Sequence, residues 1–203
     1  MKLAYSPTSP YVRKIMVLLH ETGQLDDVTL EEQHGTPLAP AVGLLPQNPL
    51  GKVPALERAD GPSIYDSRVI CAYLDDRAKA GLYGSGAARW DLLTLEATAD
   101  GILDAALLMV YESRLRPEEI RMDAWIEGQW GKIERACAAL NTRWMSQLSA
   151  SMNIGQIAVG SALGYLDFRL DARGWRKGND ALAGWFQTFD SRPSMQATVP
   201  PAG

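Results

Sequence analysis

Histidine and cysteine are nearly missing from this chain, with two of each in 203 residues. His20 and His34 have no spacing that makes a metal pair, which argues against a metal centre. Cys71 and Cys137 lie far apart inside apolar periodic segments, and read as reduced core thiols of a cytoplasmic protein. Basic charge is not in excess: 20 Lys and Arg against 24 Asp and Glu give a net charge of -4, without the electrostatic footprint of a nucleic-acid binder. Long hydrophobic runs are also lacking. The longest, near Ala105 to Val110, is far too short for a bilayer, and Ser6 to Pro10 interrupts any secretion signal after the single N-terminal lysine. Neither nucleic acid nor a membrane is expected as a partner.

What is present divides near residue 80. Every tryptophan falls at Trp90 or later, whereas the first eighty residues carry most of the prolines. The glycine-rich "AGLYGSG" at 80–86 reads as a linker. Two domains are expected, 1–78 and 87–203, with 79–86 between them. In the first, Lys2 to Tyr5 is a strand, and Val12, Ile15, Met16 and Leu19 recur at helical spacing. Val28 to Glu32 is a second strand. "KVPAL" (52–56) and "SIYD" (63–66), separated by a segment with Asp-Gly, read as a hairpin. A second helix follows, opened by Asp66 and Ser67. The second domain reads as all helix: Leu92, Leu95, Ala99, Ile102, Ala106 and Val110 step by three or four, as do Ile126, Trp130, Ile133, Cys137, Leu140 and Trp144. Asn153 with Gln156 is a capping-box variant that opens a further, apolar helix at the centre of the bundle.

The stretch "SPYVRK" after the first strand has two readings. Ser9 is a preferred N-cap residue with Pro10 in the first helical position, where the missing N–H costs nothing. Alternatively, Ser9 steadies a ligand. "SPYVRK", "NPLGKVPAL" at 48–56, "DSRVICAYL" at 66–74 and the all-helical second half together resemble the cytosolic glutathione transferases, in particular bacterial members with serine or cysteine at the first helix. The resemblance implies a thioredoxin-like α/β N-terminal domain followed by an all-α C-terminal helical bundle domain. It implies a cis proline at Pro54, which turns the backbone of Val53 toward a groove where the cysteinyl unit of glutathione pairs like an added strand. It places the γ-glutamyl carboxylate on Ser67 and its ammonium near Asp66, with Arg68 as a further cation. Aspartate at 66 is one methylene shorter than the family's usual glutamate or glutamine. Lys52 and His34 are candidates for the glycine carboxylate.

Glutathione chemistry needs a thiolate. Lowering a thiol pKa from about 8.5 by two units takes about 2.7 kcal/mol. A hydroxyl donating to an anion supplies about 1.5–3 kcal/mol, and a helix N-terminus adds about 0.3–1. Ser9 is therefore expected to donate, since no His-Asp pair accompanies it to make it a nucleophile. Tyr5, Ser6 and Thr8 are its rivals. The resemblance implies a detoxification enzyme, a homodimer, that joins glutathione, a co-substrate rather than a cofactor, to a small hydrophobic electrophile. Its alternatives are dehalogenation, isomerisation or peroxide reduction, or a non-catalytic relative that binds proteins. Glu96, Asp100 and Asp104 on one helix face read as a solvated or interface face, and Arg169, Arg173, Trp175, Arg176 and Lys177 as a solvated helix end.

Overall fold

The first strand, β1 (Lys2–Tyr5), buries Leu3 and Ala4 in a four-stranded sheet. In this computed structural model, which describes residues 1–201, it leads into the helix α1 (Pro10–Glu21). The strands β2 (Thr29–Glu32), β3 (Ala55–Arg58) and β4 (Gly61–Ile64) complete the sheet in the order β2-β1-β3-β4. β1 runs parallel to β2, and β3 runs antiparallel to both β1 and β4. The helix α2 (Ser67–Ala78) follows β4. This is the thioredoxin-like arrangement, with a helical second half after it.

Strand limits follow backbone chemistry more closely than apolar alternation. β3 starts at Ala55 instead of Lys52, because Pro54 has no N–H to give to a ladder. β4 starts at Gly61 instead of Ser63, because the turn sits on Ala59 and Asp60 and leaves Gly61 to the strand. On α1 the helical spacing counts Met16 as core, yet Met16 is half-buried while Lys14 is 0% exposed. Lysine carries a long apolar stem, so it fills core volume that a pattern of apolar letters does not register.

Two compact units result: Met1–Tyr83 with the segment from Pro193 on, and Gly84–Arg192. These limits differ from the expected 1–78 and 87–203 at both ends. Residues 79–83 stay with the first unit because the buried Asp75 carboxylate accepts from Leu82 N at 2.8 Å and Tyr83 N at 3.4 Å. The short helix α8 (Pro193–Gln196) returns to α1. Arg13, only 6% exposed, donates from Nη2 to the Met195 carbonyl at 3.1 Å and from Nε to Thr198 Oγ1 at 3.4 Å. A buried guanidinium needs such acceptors, and the C-terminal segment provides them.

In the helical unit, α3 (Ala88–Leu115) and α4 (Asp123–Arg143) pack together, and α6 (Ile154–Leu170) packs on α3. α5 (Met145–Leu148) and α7 (Asp180–Asp190) complete it. α6 is buried without a break from Ile154 to Leu166, as expected for a central helix. Its start closes only half of a capping box. Asn153 Oδ1 accepts from Gln156 N at 3.1 Å, but the Gln156 side chain turns to the carbonyls of Gln147, Ala150 and Ser151. Gly160 lets the Phe189 ring of the following segment lie on α6, and a Cβ there would run into that ring. Gly160→Ala is expected to destabilise the chain by about 1–3 kcal/mol through overpacking. Urea unfolding would show this as a lower midpoint with an unchanged slope.

Candidate functional site

Sheet order brings the candidates to one end of the sheet. β1 and β3 are antiparallel with Ala4 opposite Ala55, so the chain leaving β1 toward Ser9 lies beside the chain entering β3 through Val53 and Pro54. Leu56 opposite Ile64 puts the exit of β4, and hence Asp66 and Ser67, at that end as well. β2 exits there too, with Gln33 N donating to Tyr5 O at 2.8 Å. Two helix N-termini therefore open at this end, each with unsatisfied N–H groups and positive potential.

Ser9 caps α1, its Oγ accepting from Val12 N at 3.4 Å. The cap is long, and it uses a lone pair. The hydroxyl proton remains available to donate, so capping and ligand donation do not compete for the same part of the group. Ser6 and Thr8 lie with their hydroxyl oxygens 3.4 Å apart. The Val53–Pro54 peptide is cis, as is Tyr65–Asp66. Neither the N–H nor the carbonyl of Val53 has a hydrogen-bond partner among the described residues. Lys52 is exposed, and His34 is exposed with Nε2 3.3 Å from the Glu32 carboxylate.

Asp66 caps α2, accepting from Arg68 N at 3.0 Å and from the Arg68 guanidinium at 2.9 Å. Burial pushes its carboxyl up. The side-chain and backbone hydrogen bonds from Arg68 and the charges of Arg68 and Lys14 outweigh this and hold it below the ordinary value. Ser67 is 2% exposed, and its hydroxyl has no partner among the described residues. Arg68 is thus engaged with Asp66, while Ser67 keeps its hydrogen-bonding capacity.

Comparison with known proteins adds to this geometry. Residues 8–77 match the family model described as "Glutathione S-transferase, N-terminal domain", and residues 123–188 match "Glutathione S-transferase, C-terminal domain". The uncharacterized GST-like protein YibF of Escherichia coli (strain K12) is 35% identical over 205 residues, spanning 99% of this chain and 99% of that protein. The chain belongs to the glutathione transferase family. A glutathione transferase family member from Pseudomonas fluorescens Pf-5, solved with bound glutathione, is 48% identical with a TM-score of 0.96, covering 98% of both chains. A glutathione S-transferase from Methylobacillus flagellatus KT, also solved with glutathione, is 35% identical with a TM-score of 0.84, covering 98% of both.

Two residues of this family member at the same sheet end were quoted in the motifs without a role. Asn48, buried, donates from Nδ2 to the Lys52 carbonyl at 2.7 Å and accepts from Leu50 N at 3.0 Å, which fixes the segment before Val53. Lys14 contributes positive charge to Asp66 from inside α1. An apolar tally misses both, because a buried polar residue declares itself only through its partners.

Two acidic residues of α3 and one tryptophan differ from expectation. Glu96 and Asp100 are buried and not solvated; only Asp104 is exposed. Among the described residues no cluster of His, Cys, Asp and Glu is placed to hold a metal ion. Arg173 pairs with Glu127 at 2.7 Å and Arg176 with Asp167 at 2.6 Å, while Trp175 is buried and donates to Asp167 at 2.7 Å. Among the described residues no helix is long and apolar enough to cross a membrane. Both cysteines are buried, and burial, with the Glu134 charge, pushes the Cys137 thiol up to about 12. That thiol is inert at neutral pH.

Proposed function

We propose that this chain binds glutathione and adds its thiolate to a small hydrophobic electrophile. The observation that carries the proposal is the meeting, at one end of one sheet, of three kinds of group that the tripeptide needs. These are a hydroxyl at a helix N-terminus (Ser9), an unpaired backbone donor and acceptor (Val53), and a helix start with a spare hydroxyl and N–H (Ser67). The glutathione held by the two relatives at 48% and 35% identity supports the same ligand.

In this proposal the γ-glutamyl carboxylate takes the Ser67 hydroxyl and N–H, and the ammonium faces Asp66, whose depressed pKa keeps it anionic. The cysteinyl amide pairs with the Val53 N–H and carbonyl as an added strand. Lys52 is free to approach the glycine carboxylate. Ser9 donates its hydroxyl proton in a hydrogen bond to the sulfur, and the thiol proton leaves to solvent. The sulfur then forms a bond to the electrophilic carbon; in a substitution the leaving group departs with its electron pair, and in an addition the π bond breaks and its far atom takes a proton from solvent. Dehalogenation, isomerisation and peroxide reduction start from the same thiolate.

Calorimetric titration with glutathione tests the ligand. Binding in the micromolar to millimolar range is expected, weakened about ten- to a hundredfold in Ser67→Ala, for the loss of one hydrogen bond to a charged group worth about 1.5–3 kcal/mol. Absence of binding by the wild-type chain would remove the proposal. Binding with no turnover of any electrophile would turn it toward a non-catalytic binding module.

A further inference from the structure

Two arginines without an ion-pair partner among the described residues come together in the helical unit. Arg114 lies in the last turn of α3 and Arg169 in the last turn of α6, and these two helices pack on each other. Tyr111 precedes Arg114 by about one helical turn, and Tyr165 precedes Arg169 likewise, so each pair shares a helix face. The Arg169 guanidinium sits over the Phe168 ring, 3.7 Å from its centroid, and its Nε is buried with no hydrogen-bond partner. Other arginines of this unit are matched: Arg116 with Glu112, Arg173 with Glu127 and Arg176 with Asp167.

The electrostatics show what is missing. Burial, and then the like charge of Arg114, weaken the hold of Arg169 on its proton, with only the Tyr165 hydroxyl acting in its favour. Burial pushes the Tyr165 phenol up to about 12 and raises that of Tyr111, so both stay neutral O–H donors at neutral pH. Stacking on Phe168 engages the guanidinium face and the Tyr165 hydroxyl takes part of its edge, while Nε stays buried without a partner. Two cations and two phenols come together with no carboxylate paired to either arginine among the described residues, so the set lacks an anionic acceptor. A planar carboxylate fits such a fork, and the aromatic rings beside it suit a carbon skeleton better than bulk water.

We propose that Arg114, Arg169, Tyr111 and Tyr165 form a binding site for the carboxylate of a small organic acid. The site itself does not depend on glutathione.

Benzoate is the probe, titrated calorimetrically into the full chain at low salt, with inorganic phosphate and glutathione in parallel. Saturable benzoate binding is expected, at least tenfold weaker in Arg114→Gln and in Arg169→Gln, and weaker as salt rises. Arg114 is exposed, so its variant keeps the fold even where Arg169→Gln does not. No benzoate binding, or binding indifferent to Arg114→Gln, overturns the proposal. Phosphate binding more tightly than benzoate overturns the carboxylate class. Glutathione that competes with benzoate and weakens in Arg114→Gln makes the acceptor a carboxylate of glutathione, which overturns a second ligand. Benzoate binding that responds to the substitutions while glutathione fails to bind supports this site and removes the transferase activity.

Discussion

Ser9→Ala is expected to cut the rate of conjugation of 1-chloro-2,4-dinitrobenzene by about ten- to a hundredfold, while glutathione affinity stays within a few-fold of wild type. The magnitude follows from the hydrogen bond. A hydroxyl donating to a charged sulfur is worth about 1.5–3 kcal/mol, and each 1.36 kcal/mol is tenfold in rate. The loss appears as a pH shift, because the hydroxyl stabilises the thiolate and not the thiol. The rising limb of the pH–rate profile moves up by about one to two units, toward the ordinary thiol pKa near 8.5. Ser9→Thr keeps both lone pair and proton, and is expected to retain most of the rate. Since Ser9 also caps α1, the alanine variant loses stability, at the low end of about 0.5–2 kcal/mol given the 3.4 Å cap. Retained glutathione binding separates this from a rate effect caused by unfolding. Unchanged turnover with an unchanged pH profile would take the role away from Ser9 and return it to Tyr5, Ser6 or Thr8.

The capping chemistry at both helix starts was legible in the sequence because it is local. Ser9-Pro10 and Asp66-Ser67 each satisfy N–H groups within a few residues, and a reader needs no tertiary structure to place them. The meeting of those two starts with Val53–Pro54 was not legible from periodicity. It depends on the order β2-β1-β3-β4, a set of long-range pairings that entered only through the family resemblance. Arg13 illustrates the limit further. Nothing within "SPYVRK" marks it as buried, and its acceptors stand at Met195 and Thr198, far along the chain. The expected second domain, 87–203, kept the segment from Pro193 on that groups with the first unit, for that reason. Asn48 and Lys14 escaped notice on the same ground. Their roles are held by a carbonyl and a carboxylate that local spacing does not connect to them.

Asn153→Ala is expected to cost about 2–4 kcal/mol, a large change for one exposed-looking polar residue before a helix. Asn153 is 6% exposed and Gln156 4%, so nothing from solvent replaces what is removed. The Asn153 Oδ1 accepts from Gln156 N at 3.1 Å, and its Nδ2 donates to Ser151 O at 3.0 Å and Gln147 O at 3.3 Å. Losing the cap costs about 0.5–2 kcal/mol, and stripping buried carbonyls of a donor adds about 1–3 kcal/mol. Gln156 Nε2 reaches the same carbonyls, at 3.2 Å to Ser151 O and 3.3 Å to Gln147 O, which keeps the sum below the combined maxima. The helix that starts here, α6, is the buried centre of its unit, so fraying at its first turn loosens what packs around it. Asn153→Asp tells the two contributions apart: it keeps an acceptor for Gln156 N but sets a carboxylate against the Ser151 and Gln147 carbonyls. In urea unfolding the alanine variant should have the lowest midpoint where the cap dominates, and the aspartate variant where the carbonyls do. A midpoint for Asn153→Ala indistinguishable from wild type would mean that Gln156 alone holds the turn, and Gln156→Ala would then carry the whole loss.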